Sequence, residues 1–543
     1  MDASTRIPTP HNEPVLGYAP GSPERAELEG ALTALATAEP ATYTAAIGGR
    51  RRPGSGETVI DVTMPSEHAH VLGRIRQTSQ ADTTSAIEAA SAAARGWALT
   101  PFADRAAVFL RAADLIAGPY RARLNAATML GQGKTVQQAE IDSACELIDF
   151  LRFNASFAAD LHAIQPESSP GVWNQLDYRP LDGFVYAITP FNFTAIAGNL
   201  PTSPALMGNT VVWKPAVTQQ AAASVFMEVL EESGLPAGVI NMLPGHGAEI
   251  SEVALRHPAL AGIHFTGSTR VFQGLWAEVG GNITRYRSYP RIVGETGGKD
   301  FVVAHASADP ESTITALLRG AFEYSGQKCS AASRAYLPRS LWEKIRVELV
   351  DRTEAIAVGD VRDFANFTSA VIDDRAFAKL SAAIAAAEAA PGTQVIAGGR
   401  CDDSVGWYVR PTLVLSDDPG NDVFRTEYFG PLLGIFVYPD DDYEAILAHI
   451  DETSRYALTG SIMATDREAI ATAARALRQA AGNFYVNDKP TGAVVGQQPF
   501  GGGRASGTND KAGSVWNLIR WASPRAIKET FVPPRSIGYP HMG

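Results

Sequence analysis

Phe184-Val185-Tyr186-Ala187-Ile188-Thr189-Pro190-Phe191-Asn192-Phe193-Thr194 is an apolar, β-rich run that breaks at a proline and then turns helical. The pattern recurs. Runs at 210–213, 239–243 and 262–266 read as strands, and 219–233 and 248–257 read as helices between them. Strand and helix alternating at this spacing predict a parallel sheet with crossover helices. A second series follows, with strands at 301–304, 335–337, 411–415, 432–438, 460–464 and 484–487. Its helices fall at 310–324, 341–357 and 373–390. Two α/β units are expected, with their border near Gly294-Glu295-Thr296-Gly297-Gly298-Lys299, where the glycines suit a chain reversal.

Upstream, the alanine-rich stretches 82–98, 104–116 and 136–160 carry polar residues on one side and predict amphipathic helices. Residues 166–183 read as an excursion of hairpin type, and 521–533 as an added strand. Both are expected to make subunit contacts. Residues 1–22 are polar and proline-rich, which predicts an arm or a disordered tail. They lack the apolar centre of a secretion signal.

A chain of 543 residues exceeds what one core of roughly 250–300 residues accommodates. A net charge of −12 argues against non-specific nucleic-acid binding. No apolar run nears the roughly 20 residues that span a bilayer. Cys145, Cys329 and Cys401 are too few and too scattered for a disulfide framework, and a reducing cytoplasm suits a working thiolate. His68 and His70 lack a third ligand, so no metal is expected.

Cys329 lies in Tyr324-Ser325-Gly326-Gln327-Lys328-Cys329-Ser330, beyond a helix that should end before Gly326. A cysteine on such a loop can be a nucleophile if its thiol is activated. The competing reading is a small buried hydrophobe. Glu295 has flanking glycines that leave a carboxylate room to reach a water, as a general base must; the alternative is a turn carboxylate paired with Lys299. Asn192 can donate its amide to a developing oxyanion, or close an Asx turn. Lys214 ends a parallel strand, where a ribose hydroxyl or phosphate could meet it, or it is a solvated lysine. Gly267 and Ser268 open a helix that could favour a phosphate, or form an ordinary cap. Glu427 and Phe429 could meet a ribose and a flat ring, or form a turn over a buried aromatic. No G-x-G-x-x-G fingerprint follows the first strand, so a dinucleotide would be held differently.

Taken in order, Pro-Phe-Asn-Phe, Trp-Lys-Pro, Phe-Thr-Gly-Ser, Glu-Thr-Gly-Gly-Lys, Gly-Gln-Lys-Cys-Ser, Glu-Tyr-Phe-Gly-Pro and Pro499-Phe500-Gly501-Gly502 resemble the aldehyde dehydrogenase superfamily from about residue 60 to residue 530. Residues 326–330, 491–500 and 504–511 are similar to its Δ1-pyrroline-5-carboxylate (L-glutamate γ-semialdehyde) dehydrogenase branch. The resemblance implies an aldehyde-dehydrogenase-like α/β fold. A Rossmann-like NAD domain would span 41–165 and 184–294, and a catalytic domain 295–520. An N-terminal arm would occupy 1–40, with oligomerisation segments at 166–183 and 521–543.

It implies NAD as cofactor and L-glutamate γ-semialdehyde as substrate, in proline and arginine breakdown. Cys329 would be the nucleophile, with Asn192 and the Cys329 N–H holding the oxyanion and Glu295 activating water. Thr189, Lys214, Gly267, Ser268, Glu427 and Phe429 would hold the cofactor. Ser330 and the N–H groups of Gly492 and Ala493 would bind the substrate carboxylate, and Phe193 and Phe500 its aliphatic part. Glu146 and Lys328 would lie nearby. Ala493 departs from relatives that carry serine there. No arginine for a 2′-phosphate stands among Ala216, Val217 and Thr218.

A homodimer or larger homo-oligomer follows, in the cytoplasm, or in the mitochondrial matrix if the source is eukaryotic. Proline dehydrogenase would be a separate functional partner, since no such domain fits before residue 60. Other readings are a dehydrogenase for another semialdehyde, an acylating enzyme that uses coenzyme A, and a catalytically silent scaffold.

Overall fold

The computed structural model describes residues 5–543. Two seven-stranded sheets organise the chain. In the first, five strands run parallel in the order Arg291–Glu295, Leu260–Thr266, Phe184–Ile188, Thr210–Lys214, Ile240–Met242. Ala45–Ile47 and Arg50–Arg52 extend it in antiparallel fashion. The strands are buried on both faces. Val185, Ala187, Val211 and Trp213 join one apolar cluster, while Phe184, Tyr186, Val212 and Ile263 join another. That two-sided burial explains why these strands read as continuous apolar runs.

From Phe184–Ile188 the chain builds outward through two strands, then returns to build the other side from Leu260–Thr266. The order reverses between these two neighbours. Ligands of open α/β sheets bind outside the carboxyl ends of the strands at such a switch point. Thr189, Lys214, Gly267 and Glu295 all stand at this carboxyl edge.

Five residues after Glu295, at Asp300, the second sheet starts. Its order is Thr393–Ala397, Thr412–Ser416, Leu432–Tyr438, Ala332–Pro338, Asp300–Ala304, Thr459–Met463, Asn483–Val486, parallel except for the first pair. Here the amino edge supplies the candidate residues. Cys329 lies just before Ala332–Pro338, and Glu427 and Phe429 just before Leu432–Tyr438. The seam between the sheets therefore joins one carboxyl edge to one amino edge.

Three expectations need correction. Residues 166–183 form no hairpin: Val172–Arg179 is a single strand paired antiparallel with Ser523–Thr530. The partner comes from the far end of the chain, which no local turn signal reveals. Residues 5–22 are not a loose tail. Asn12 and the Glu13 N–H donate to Asp149 at 2.8 and 2.7 Å, and Tyr18 donates to Glu140 at 2.7 Å. Arg121 bonds both Glu13 and Glu140, and the helix Pro23–Thr37 follows, capped by Ser22. Met1 to Ser4 lie outside the described residues. The long helix over 136–160 is interrupted, with α-helix at Val136–Ala139, a π-helical stretch at Glu140–Glu146 and α-helix at Leu147–His162. Such stretches are rare and frequently mark functional sites.

Candidate active site

The helix Pro310–Phe322 ends as expected, and its exit is strained. Tyr324, Ser325 and Gly326 all take left-handed φ, at 52°, 50° and 64°. The two non-glycine residues are costly there. Their surroundings fix them: Tyr324 donates to the Gln132 carbonyl at 2.9 Å, and the Ser325 N–H to the Thr368 hydroxyl at 2.7 Å. Gly326 has no such choice. A Cβ there would stand 2.3 Å from the Gly430 carbonyl oxygen. The three reversals turn the chain so that Cys329 falls in a buried turn, 8% exposed.

One cavity collects the substrate set. Glu146, Phe193, Lys328, Ser330, Gly492, Ala493 and Phe500 line it together with Cys329 and Glu295. Among the described residues, the Gly492 and Ala493 N–H groups have no intramolecular acceptor, so both remain available to a ligand. The Ser330 hydroxyl pairs with that of Thr491 at 2.7 Å and ties the two turns together. Phe193 packs under the Lys134 ammonium at 4.0 Å. Lys134 is in turn bound to Asp142 at 2.7 Å, whose carboxylate accepts from the Thr194 and Ala195 N–H groups.

Asn192 stands outside this lining but reaches it. Its amide donates to the Gln327 carbonyl at 3.0 Å, which joins the first sheet's edge to the Cys329 turn. Among the described residues the Asn192 side chain closes no Asx turn. Glu295 is not paired with Lys299; it accepts weakly from the Gly502 N–H at 3.4 Å. Burial pushes its carboxyl well above the usual range. Burial, and then the carboxyls of Asp300, Glu295 and Glu427, push the Cys329 thiol well above its ordinary value. In the free protein burial thus disfavours the charged form of both groups.

The remaining set lines the cofactor edge. Thr189 accepts from Trp213 Nε1 at 3.0 Å, and its N–H bonds the Lys214 carbonyl. The Lys214 ammonium has no hydrogen-bond or carboxylate partner among the described residues, and burial lowers its pKa to about 8. Ser268 caps the helix Thr269–Gly281, accepting from the Val271 N–H, with Gly267 just before it. Glu427 accepts from the Gly298 N–H at 2.8 Å, and a Cβ on Gly297 would collide with its carboxylate. Phe429 meets Phe191 edge-on at 5.8 Å.

Sequence reasoning missed Glu323 and Lys489. Glu323 lies between two cations, Lys328 at 3.0 Å and Lys489 at 3.1 Å. Lys328, expected to face substrate as a cation, is thus already paired. Glu323 immediately precedes the stretch that carries Cys329, so its position could have flagged it. Lys489 is distant in sequence and gave no signal.

A nucleotide-type sheet whose carboxyl edge faces a buried thiol, with an acid and an amide converging on it, defines an α/β enzyme of covalent, dinucleotide-assisted chemistry. The aldehyde dehydrogenase family pattern matches residues 52–527, and the chain belongs to that family. A probable delta-1-pyrroline-5-carboxylate dehydrogenase of Schizosaccharomyces pombe is 48% identical over 99% of both chains. The NAD-bound crystal structure of the Delta-pyrroline-5-carboxylate dehydrogenase from Mycobacterium tuberculosis is 60% identical, covers all of both chains and superposes with a TM-score of 0.97. Proline utilization A from Bdellovibrio bacteriovorus is 28% identical with a TM-score of 0.90, over 98% of this chain and 54% of that one.

Proposed function

We propose that this enzyme oxidises L-glutamate γ-semialdehyde, formed from Δ1-pyrroline-5-carboxylate, to L-glutamate with NAD. The observation that carries the reading is the single cavity in which Cys329 and Glu295 meet all seven residues expected to hold this substrate. The names of the similar proteins support it.

The residues at the switch point fit a dinucleotide. Lys214, half-buried and with no partner for its ammonium among the described residues, stands beside the start of the helix Gly247–Arg256. The N-terminus of Thr269–Gly281 supplies N–H groups suited to a pyrophosphate. Glu427 and Phe429 close the opposite side.

Cys329 Sγ adds to the aldehyde carbon, and its proton leaves with solvent or a nearby acceptor. The developing oxyanion takes the Asn192 amide, released from Gln327, and the Cys329 N–H. NAD supplies the hydride acceptor, so that the carbon held on sulfur passes from thiohemiacetal to thioester. Glu295, once ionised, takes a proton from water, and that water displaces the thiol to give the carboxylate. Two easier steps replace one hard one. The free N–H groups of Gly492 and Ala493, with Ser330, receive the α-carboxylate. Phe193 and Phe500 flank the methylenes, and Glu146 offers a partner to the α-ammonium.

The same reading divides the chain into a dinucleotide domain (41–165 and 184–294) and a catalytic domain (295–520). It gives the paired strands Val172–Arg179 and Ser523–Thr530 to contact with a second copy. Trp173, Ile527 and Phe531 leave apolar surface exposed there. A proline dehydrogenase would supply the substrate.

NADH formation with Δ1-pyrroline-5-carboxylate, compared with succinic semialdehyde and with coenzyme A added, tests the reading. Turnover is expected to favour the first substrate and to be indifferent to coenzyme A. A preference for succinic semialdehyde, or a requirement for coenzyme A, would overturn it.

A further inference from the structure

Asp300 is buried at the amino end of its strand, directly beneath the turn that carries Cys329. Its Oδ1 accepts from the Thr459 N–H at 2.7 Å. Its Oδ2 is buried and has no hydrogen-bond partner among the described residues. A Cβ built on Gly298 would stand 2.2 Å from Asp300 Oδ2 and 2.2 Å from the Cys329 carbonyl oxygen. The two oxygens therefore lie within twice that distance of one another, with only a glycine between. Two buried acceptors this close without a donor between them repel and leave both unsatisfied. A proton on one of them removes both problems.

We infer that Asp300 is a positioning residue, a neutral carboxylic acid whose Oδ2–H holds the Cys329 carbonyl and so fixes the turn that aims the nucleophile. Thr459 supports the same turn from the adjacent strand: its N–H fixes Asp300 while its hydroxyl reaches the Ser330 carbonyl at 3.5 Å. Gly298 is required to be glycine by the same close approach.

Charged and titratable groups face Asp300 on every side. Lys299 precedes it, Arg334 lies on the neighbouring strand, Glu427 comes from the segment before Leu432, Tyr485 from the strand beyond Thr459, and the Cys329 thiol lies above. Burial dominates and raises the Asp300 carboxyl to about 8. Below that pH the acid is neutral and donates. Above it a carboxylate would repel the Cys329 carbonyl and place a negative charge beside the sulfur, which raises the thiol further. The device thus keeps the nucleophile aimed at neutral pH and handicaps it in alkali.

The inference rests on Cys329 being the proposed nucleophile, but its test uses neither aldehyde nor NAD, so it stands or falls apart from the substrate assignment. Asp300→Asn keeps a donor and cannot ionise; Asp300→Leu has no donor. Alkylation of Cys329 by iodoacetamide is followed on the full chain by mass spectrometry of its peptide, from pH 6 to 10. Asp300→Asn is expected to match the natural protein within threefold at pH 6.5 and to exceed it at least fivefold at pH 9.5. Amide hydrogen exchange at neutral pH over residues 327–331 should be unchanged in Asp300→Asn and at least tenfold faster in Asp300→Leu. Alkylation rates that coincide at both pH values, or differ by one constant factor, would overturn the inference. So would equal exchange in the two variants.

Discussion

The Asn192 amide donates to the Gln327 carbonyl at 3.0 Å, and this bond links the carboxyl edge of one sheet to the turn that holds Cys329 at the edge of the other. The donor proposed to meet the oxyanion is therefore parked two residues from the sulfur. Asn192→Ala removes both the parking contact and the oxyanion donor. Loss of one such donor costs about 10²–10³ in kcat. Stopped-flow NADH formation should show that fall with a far smaller change in KM. An unchanged kcat would remove Asn192 from the chemistry.

Lys214 stands at the first sheet's edge with its pKa lowered to about 8 by burial. The lysine is a cation below that value and a neutral amine above it. A ribose or phosphate contact made by the cation weakens as pH rises through about 8. The KM for NAD should climb across that range in the natural protein and stay flat in Lys214→Met. Parallel profiles in the two proteins would place the anchor elsewhere.

Burial pushes the Glu323 carboxyl up, but Lys328 and Lys489 on either side outweigh it and hold the carboxyl below the usual range. A carboxyl whose folded pKa is depressed contributes stability above the ordinary carboxylate range and loses it as pH falls through the depressed value. Glu323→Gln leaves two cations facing each other beside the cavity. Breaking a buried pair costs about 3 kcal/mol or more. Urea unfolding at pH 7 and pH 3 should show a large gap between natural and variant proteins at the higher pH and a smaller one at the lower. An equal gap at both would argue against the ion pair.

Ala493 is a smaller case. Its N–H is free toward the cavity, so a hydroxyl is an addition rather than a necessity. A typical hydrogen bond contributes about 0.5–1.5 kcal/mol, which bounds the gain from Ala493→Ser at roughly tenfold in KM. A larger change, or a loss of turnover, would mean that the side chain rather than the backbone sets substrate binding.

Much of this site was legible because its residues sit at the ends of strands, where a change of pattern marks the chain. Ile188 to Thr189, Trp213 to Lys214 and Thr266 to Gly267 each announce an edge. The left-handed run at Tyr324 and Ser325 was not legible, since neither residue prefers that conformation and it is held by distant groups, Gln132, Thr368 and Ser369. Nor was the role of Glu323, whose meaning depends on Lys489, far along the chain. The Val172–Arg179 strand failed for the same reason: a run that pairs with residues more than three hundred positions away carries no local turn signal. The N-terminal segment looked loose because its anchors, Glu140 and Asp149, are charges buried in a helix where composition predicts an apolar face.

Covalent catalysis through Cys329 is the central claim, and Glu295→Gln tests it most directly. The variant keeps the thiol and lacks the base, so the thioester should form and persist. Rapid quenching after mixing with NAD and Δ1-pyrroline-5-carboxylate, followed by peptide mass spectrometry, should find a glutamyl adduct on Cys329, accompanied by a burst of about one NADH per site, as expected when acylation outruns hydrolysis. Steady turnover in the variant with no adduct on Cys329, or an adduct on Cys145 or Cys401 instead, would contradict the account.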